Sequence, residues 1–213
     1  MSIYVGNTKI GKMYLGSTEI ADAYLGSSKV YSSIHLPYDA QVEYLQSSGT
    51  QKIAAGITGI ATIIGSAQVT TVNNLSQLVI SSSNGNAGTW YGGNTSSKWG
   101  AGAASGTYTN IDVTTRGDFN LIFTNSEVIG TVNGESIYRT HSSTQGEWYL
   151  FRCQNNSNAF IGKLYYIKIY QNNTLVRDFI PVRVGQVGYM YDQVSGQLFG
   201  NAGSGSFVLG NDV

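Results

Sequence analysis

The chain has 213 residues, of which only 11% are charged, with 12 basic residues against 12 acidic ones. A balanced chain with no basic stripe has little to neutralise phosphates, which argues against nucleic acid and anionic membranes as partners. No apolar run approaches the ~20 residues of a membrane-spanning helix. Gly is abundant (27), as is Tyr (15), and Pro is scarce (2); this suits strands joined by tight turns, because Gly and Asn accept turn conformations and Tyr fits a pleated surface.

The N-terminal stretch Met1-Ser2-Ile3-Tyr4 has no charged n-region and no apolar h-region. The expectation is therefore synthesis in a cytoplasm without a secretory signal. Three ten-residue blocks follow one rule: Tyr, an aliphatic, Gly, two small polar residues, a charge and a β-branched residue. They are Tyr4-Val5-Gly6-Asn7-Thr8-Lys9-Ile10, Tyr14-Leu15-Gly16-Ser17-Thr18-Glu19-Ile20 and Tyr24-Leu25-Gly26-Ser27-Ser28-Lys29-Val30. Each block reads as two short strands about a Gly-polar-polar turn. Thirty residues fall below the roughly 40 that fold without staples. The apolar positions Tyr4, Val5, Ile10, Tyr14, Leu15, Ile20, Tyr24, Leu25 and Val30 must therefore pack on other copies, on a partner or on the rest of the chain. Residues 1–31 are thus expected to be an attachment or oligomerisation segment.

Residues 32–39, with Pro37, break the period and read as a linker. From residue 40 to 213 a period of two takes over, the mark of half-buried strands. Phe119, Leu121 and Phe123 alternate on one face. Glu127 to Val132 and Glu135 to Arg139 flank Asn133-Gly134, the strongest short hairpin signal. Further strands are expected at 147–153, 163–170, 175–180 and 187–192, with turns at Asn172-Asn173 and Ser195-Gly196. Many short, evenly spaced strands predict an all-β sandwich or jelly roll. Residues 84–107, rich in Gly, Ser, Asn and Ala, read as a long connecting loop of the kind that often carries function.

Two stretches carry a resemblance. Val42-Glu43-Tyr44-Leu45-Gln46-Ser47-Ser48-Gly49-Thr50-Gln51 resembles the opening of concanavalin A-like (laminin-G-like) jelly-roll domains of gut phages and bacteria. Gly162 to Tyr165, Leu175 to Arg183 and Val187 to Gly203 are similar to the closing strands of that family. The repeats resemble segments that precede such modules in phage structural proteins. The resemblance implies a concanavalin A-like β-sandwich on a bacteriophage virion protein of head-fibre or tail-fibre type. It also implies capsid or tail proteins as partners, a homo-oligomer with a trimer favoured, and a host-surface glycan as a further partner. Asp178, Arg183 and Asp192 would then fix the closing strands. Gln51-Lys52-Ile53 departs from the family's usual Gln-Tyr-Ile.

Catalytic constellations are missing from the sequence. His35 and His141 have no selecting context, no Gly-x-Ser-x-Gly elbow occurs, and the Glu-x-Asp-x-x-Glu of jelly-roll glucanases is absent. Two His and one Cys (Cys153) do not make a zinc site; Cys153 reads as a buried small hydrophobe. A calcium ion at the Asp112/Asp118 turn is weighed against an ordinary solvated turn, and no metal or cofactor is expected. The reading is a binding protein and not an enzyme; a carbohydrate-binding module of a bacterial surface protein is the alternative, and a glycan hydrolase ranks below it. The candidate glycan site is Trp90, Tyr91, Asn94 and Trp99, because aromatic planes stack on sugar C–H faces while amides bind hydroxyls. The competing reading has the two Trp rings packing inward to anchor the loop.

Overall fold

The structure is a computed structural model that describes residues 4–5, 8–9, 14–15, 18–20, 22–25, 28–32, 36–72, 77–82, 89–92, 98–101, 107–140, 145–152 and 159–213. Of these, 4–19, 22–32, 78, 89–92, 101 and 107–108 are described by backbone alone. The chain divides into two compact units, Met1–Pro37 and Tyr38–Val213.

In the first unit each decamer makes its own antiparallel ladder: Tyr4–Val5 with Thr8–Lys9, Tyr14–Leu15 with Thr18–Glu19, and Asp22–Leu25 with Ser28–Ser32. Ladders of two to four residue pairs are too short to build a core of their own, in keeping with ten-residue repeats. Ile20 is half-buried. The side chains of the other candidate attachment residues lie outside the described residues, as do Ile10 and His35 altogether.

Among the described residues the second unit has two antiparallel sheets. The larger runs Glu135–Thr140, Glu127–Val132, Gly117–Phe123, Ala61–Val69, Ile161–Gln171, Thr174–Val184, Val187–Asp192, Gln197–Phe199, and the short strands Ala40–Gln41, Leu45–Ser48 and Val208–Leu209 join it at the side. The smaller runs Thr107–Asp112, Lys98–Ala101, Thr89–Gly92, Gln77–Ser82, Glu147–Leu150, Ile53–Thr58. The inner face of the large sheet supplies Ile63, Phe119, Leu121, Phe123, Ile167 and Ile169 to the core. The small sheet answers with Ile53, Val79, Ile80, Trp99, Trp148 and Leu150. Phe123 meets Trp148 edge-on at 5.1 Å across the interior, an arrangement that aromatic quadrupoles favour.

The alternation expected for 118–124 holds: Phe119, Leu121 and Phe123 are buried and Asp118, Asn120 and Ile122 exposed. Asn133-Gly134 makes the hairpin turn, both residues at positive φ (46° and 84°), as a primed turn requires. Asn172 and Asn173 do the same at 49° and 61°. Tyr38 and Asp39, expected in the linker, belong to the second unit. Tyr38 lies edge-on to Tyr191 at 4.9 Å, and Asp39 accepts a hydrogen bond from the Gly185 amide at 2.7 Å.

The two stretches that carry the sequence resemblance meet each other. The Gln51 amide donates to the Ser206 carbonyl (2.9 Å), and its oxygen accepts from the Ser47 hydroxyl (2.9 Å). Asn201 accepts from the Lys52 amide at 3.0 Å, and Gly210 donates to the Tyr44 carbonyl at 3.0 Å. Asp192, fully buried, accepts from the amides of Asp178 (2.8 Å) and Ser195 (3.2 Å) and faces Arg177 at 3.6 Å. Arg183 grips Asp212 through two nitrogens, at 2.8 and 2.6 Å. These contacts fix the closing strands, the role that the resemblance implies for Asp178, Arg183 and Asp192.

Candidate functional site

The Gly-rich stretch 84–107 is not one long loop. Thr89–Gly92 and Lys98–Ala101 are neighbouring strands of the small sheet, Tyr91 opposite Gly100 and Gly92 opposite Trp99. Trp99 is a correction to the candidate glycan site: its side chain is completely buried, so it presents no ring face to a sugar. Its indole N–H donates to the Thr115 carbonyl at 3.1 Å, and it packs on Gly117, where an added Cβ would come within 2.9 Å of the ring. The inward-packing alternative is the one that holds for this residue. The side chains of Trp90 and Tyr91 lie outside the described residues, as do Asn94, His141 and Cys153 altogether.

A different cluster stands on the outer face of the large sheet, and it begins with an irregularity. In the ladder between Ala61–Val69 and Ile161–Gln171, Ser66 pairs with Tyr166 and Ala67 with Leu164, which leaves Tyr165 as the extra residue of a β-bulge. A regular strand sends successive side chains to opposite faces; a bulge suspends that rule locally. Tyr165 and Tyr166 therefore both line one outer groove of about 440 Å³, together with Tyr44, Lys163, Arg116 and Glu43. That volume lies in the range of small-ligand sites.

The groove is held in shape by ring contacts. Tyr44 and Tyr165 meet edge-on at 5.8 Å. The Lys163 ammonium sits 4.1 Å over the Tyr44 ring, and the Arg116 guanidinium 4.1 Å over the Tyr165 ring. Both are cation–π distances. The Tyr165 hydroxyl donates to Gln68 Oε1 at 2.9 Å, and Arg116 Nε donates to the Ser66 hydroxyl at 2.6 Å. A looser contact joins Arg116 Nε to Asp118 at 3.5 Å, both side chains about half exposed. No carboxylate among the described residues pairs with Lys163, and the terminal nitrogens of Arg116 donate to none of them.

Farther along the same face, Tyr170 with Thr62, Ile64, Asn120 and Asn173 lines a shallower hollow of about 270 Å³. Between the two, Lys168 pairs with Asp178 at 2.8 Å. The hydrogen bond to that carboxylate holds the ammonium above the usual lysine range. Sequence reasoning missed this face because its residues come from four separate segments. The signal available was the doublet Tyr165-Tyr166 inside Leu164-Tyr165-Tyr166-Ile167-Lys168-Ile169-Tyr170, where two adjacent aromatics interrupt an otherwise strict alternation.

The Asp112 turn is a self-contained one. Its carboxylate accepts from the Thr114 amide (2.9 Å) and hydroxyl (2.8 Å), and these bonds hold it below the usual carboxylate range. Among the described residues no group of three or more His, Cys, Asp or Glu side chains converges as metal ligands would.

No protein-family model matches the chain, and no curated protein matches it. Among solved structures it is similar to a “putative carbohydrate binding protein” from Bacteroides ovatus, with 10% identity and a TM-score of 0.55 over 80% of this chain and 60% of that one. Domains LG4-5 of the mouse laminin α1 chain match with 11% identity and a TM-score of 0.38, over 70% of this chain and 48% of that one. The two antiparallel sheets make an all-β sandwich, the fold shared with the Bacteroides ovatus structure. The chain spans less than two thirds of the length of either neighbour.

Proposed function

We propose that this chain is a non-catalytic attachment and recognition protein, whose sandwich binds a saccharide on the outer face of its large sheet. The observation that carries the reading is the bulge at Tyr165. It sets two adjacent tyrosines into one groove beside Tyr44, with the hydroxyl of Tyr165 and the nitrogens of Arg116 and Lys163 at hand as polar partners. Apolar ring edges next to a few fixed polar groups are what a sugar needs. The description of the Bacteroides ovatus protein is in keeping with this.

In this reading the repeats of residues 1–31 tether the sandwich to a larger assembly or join copies of the chain, a trimer being the favoured oligomer. The resemblance of the repeats and of the sandwich ends points to a bacteriophage particle as that assembly, with capsid or tail proteins as the docking partners and a host glycan as the ligand. A glycan array probed with the full chain tests the recognition half. The expected result is retention of a restricted set of saccharides, lost in Tyr165→Ala. An array on which the chain retains nothing, or on which Tyr165→Ala binds like the parent, overturns it. Mass spectrometry of purified phage particles tests the attachment half: the chain must be present in stoichiometric amounts.

A further inference from the structure

Resting on saccharide recognition at the Tyr44–Tyr165 groove, we infer that the ligand is acidic and carries a single carboxylate there, as a uronic-acid sugar does. The groove holds two cations whose hydrogen-bonding capacity the described residues leave largely unused. Among the described residues, nothing takes up the three ammonium donors of Lys163 or those on the two terminal nitrogens of Arg116, whose side-chain hydrogen bond and 3.5 Å ion contact both use Nε. Each cation is steadied over a tyrosine ring at 4.1 Å, Lys163 with no carboxylate partner among the described residues and Arg116 with only the 3.5 Å contact to Asp118. A ring positions a cation without neutralising it, so little ordering remains for a ligand to impose. Arg116 in particular offers a planar nitrogen edge of the kind that pairs with a carboxylate through two parallel hydrogen bonds.

The same surroundings argue against a polyanion. Glu43 lines the groove and Asp118 lies beside Arg116, so two acids offset two cations over a short distance. A chain of sulfates would bring several charges against Glu43 and Asp118, whereas one carboxylate brings a single charge to set against Lys163 and Arg116. The Tyr170 hollow, lined by Thr62, Asn120 and Asn173, has no cation in its lining and suits a neutral sugar ring.

The test is an array of matched oligosaccharides whose terminal sugar is neutral, carboxylated or sulfated. It is probed with the full chain and with Lys163→Gln and Arg116→Gln at about 0.05 M and about 0.5 M salt, concentrations that span weak and strong screening. Both variants are first checked for an unchanged melting temperature. The expected result is preference for the carboxylated member over its neutral twin by about tenfold or more, the usual scale for a charge-assisted hydrogen bond. That preference falls at high salt and is lost in both variants. Equal binding of the neutral and carboxylated members, unchanged in Lys163→Gln, overturns the acidic assignment and leaves saccharide recognition standing. Preference for the sulfated member overturns the carboxylate assignment. An array on which nothing binds removes the recognition reading itself.

Discussion

Trp99 donates its indole N–H to Thr115 from inside the core, beside a glycine whose lack of a side chain makes room for the ring. Such a residue acts through packing. Trp99→Ala should cost about 3–5 kcal/mol, whereas Trp99→Phe gives up mainly one hydrogen bond, worth about 1 kcal/mol. Chemical denaturation of the two variants measures both. Trp99→Phe should leave any glycan binding as it is, which separates the core from the outer groove. Lys168 allows a prediction on pH. Its raised pKa means that the pair with Asp178 stabilises the fold fully below the ordinary lysine pKa and loses that contribution as pH rises through the raised value. Lys168→Met should therefore flatten the alkaline end of the stability–pH profile. The effect is small because the lysine side chain is 38% exposed. Asp112 acts at the other end: its lowered pKa gives a contribution that is present above the ordinary carboxylate range and fades as pH falls through the lowered value.

At the scale of elements, the close approach of strands leaves places where only glycine fits. A Cβ on Gly130 would collide with the Asn120 carbonyl oxygen of the paired strand. Gly130→Ala should push the Glu127–Val132 strand off its partner, at about 2 kcal/mol or more, and thermal melting reads the loss. Strands with period-two alternation, such as Gly117–Phe123, and turns with local chemistry, such as Asn133-Gly134, were legible in the sequence because their signals are local. Thr89–Gly92 and Lys98–Ala101 were not. Their Gly-rich composition is that of a loop, and what makes them strands is pairing with neighbours such as Gln77–Ser82 and Thr107–Asp112. The groove was hidden for a related reason. Tyr44, Arg116 and Lys163 stand far apart in the chain, and the bulge that turns Tyr165 outward exists only in the register against Ser66 and Ala67.

For the molecule as a whole, the division at Pro37/Tyr38 gives the sandwich a core made of its own residues. A fragment of residues 38–213 should therefore melt cooperatively at nearly the temperature of the full chain. If the repeats join copies of the chain, the same fragment should be a monomer by sedimentation while the full chain is an oligomer; equal masses for the two would leave docking on another protein as their role. The sandwich also begins and ends at one place. Ala40–Gln41 pairs with Val182 and Arg183, Val42 bridges to Asp212, and Val213 donates to the Gln41 carbonyl. Gln41 to Tyr44 line the groove as well. A pull applied through the repeats and resisted by a ligand in the groove would thus be carried across a few residues at one corner of the sandwich. Most of the two sheets would bear no load, so the bond to the ligand or this corner should give way under tension while the core stays folded.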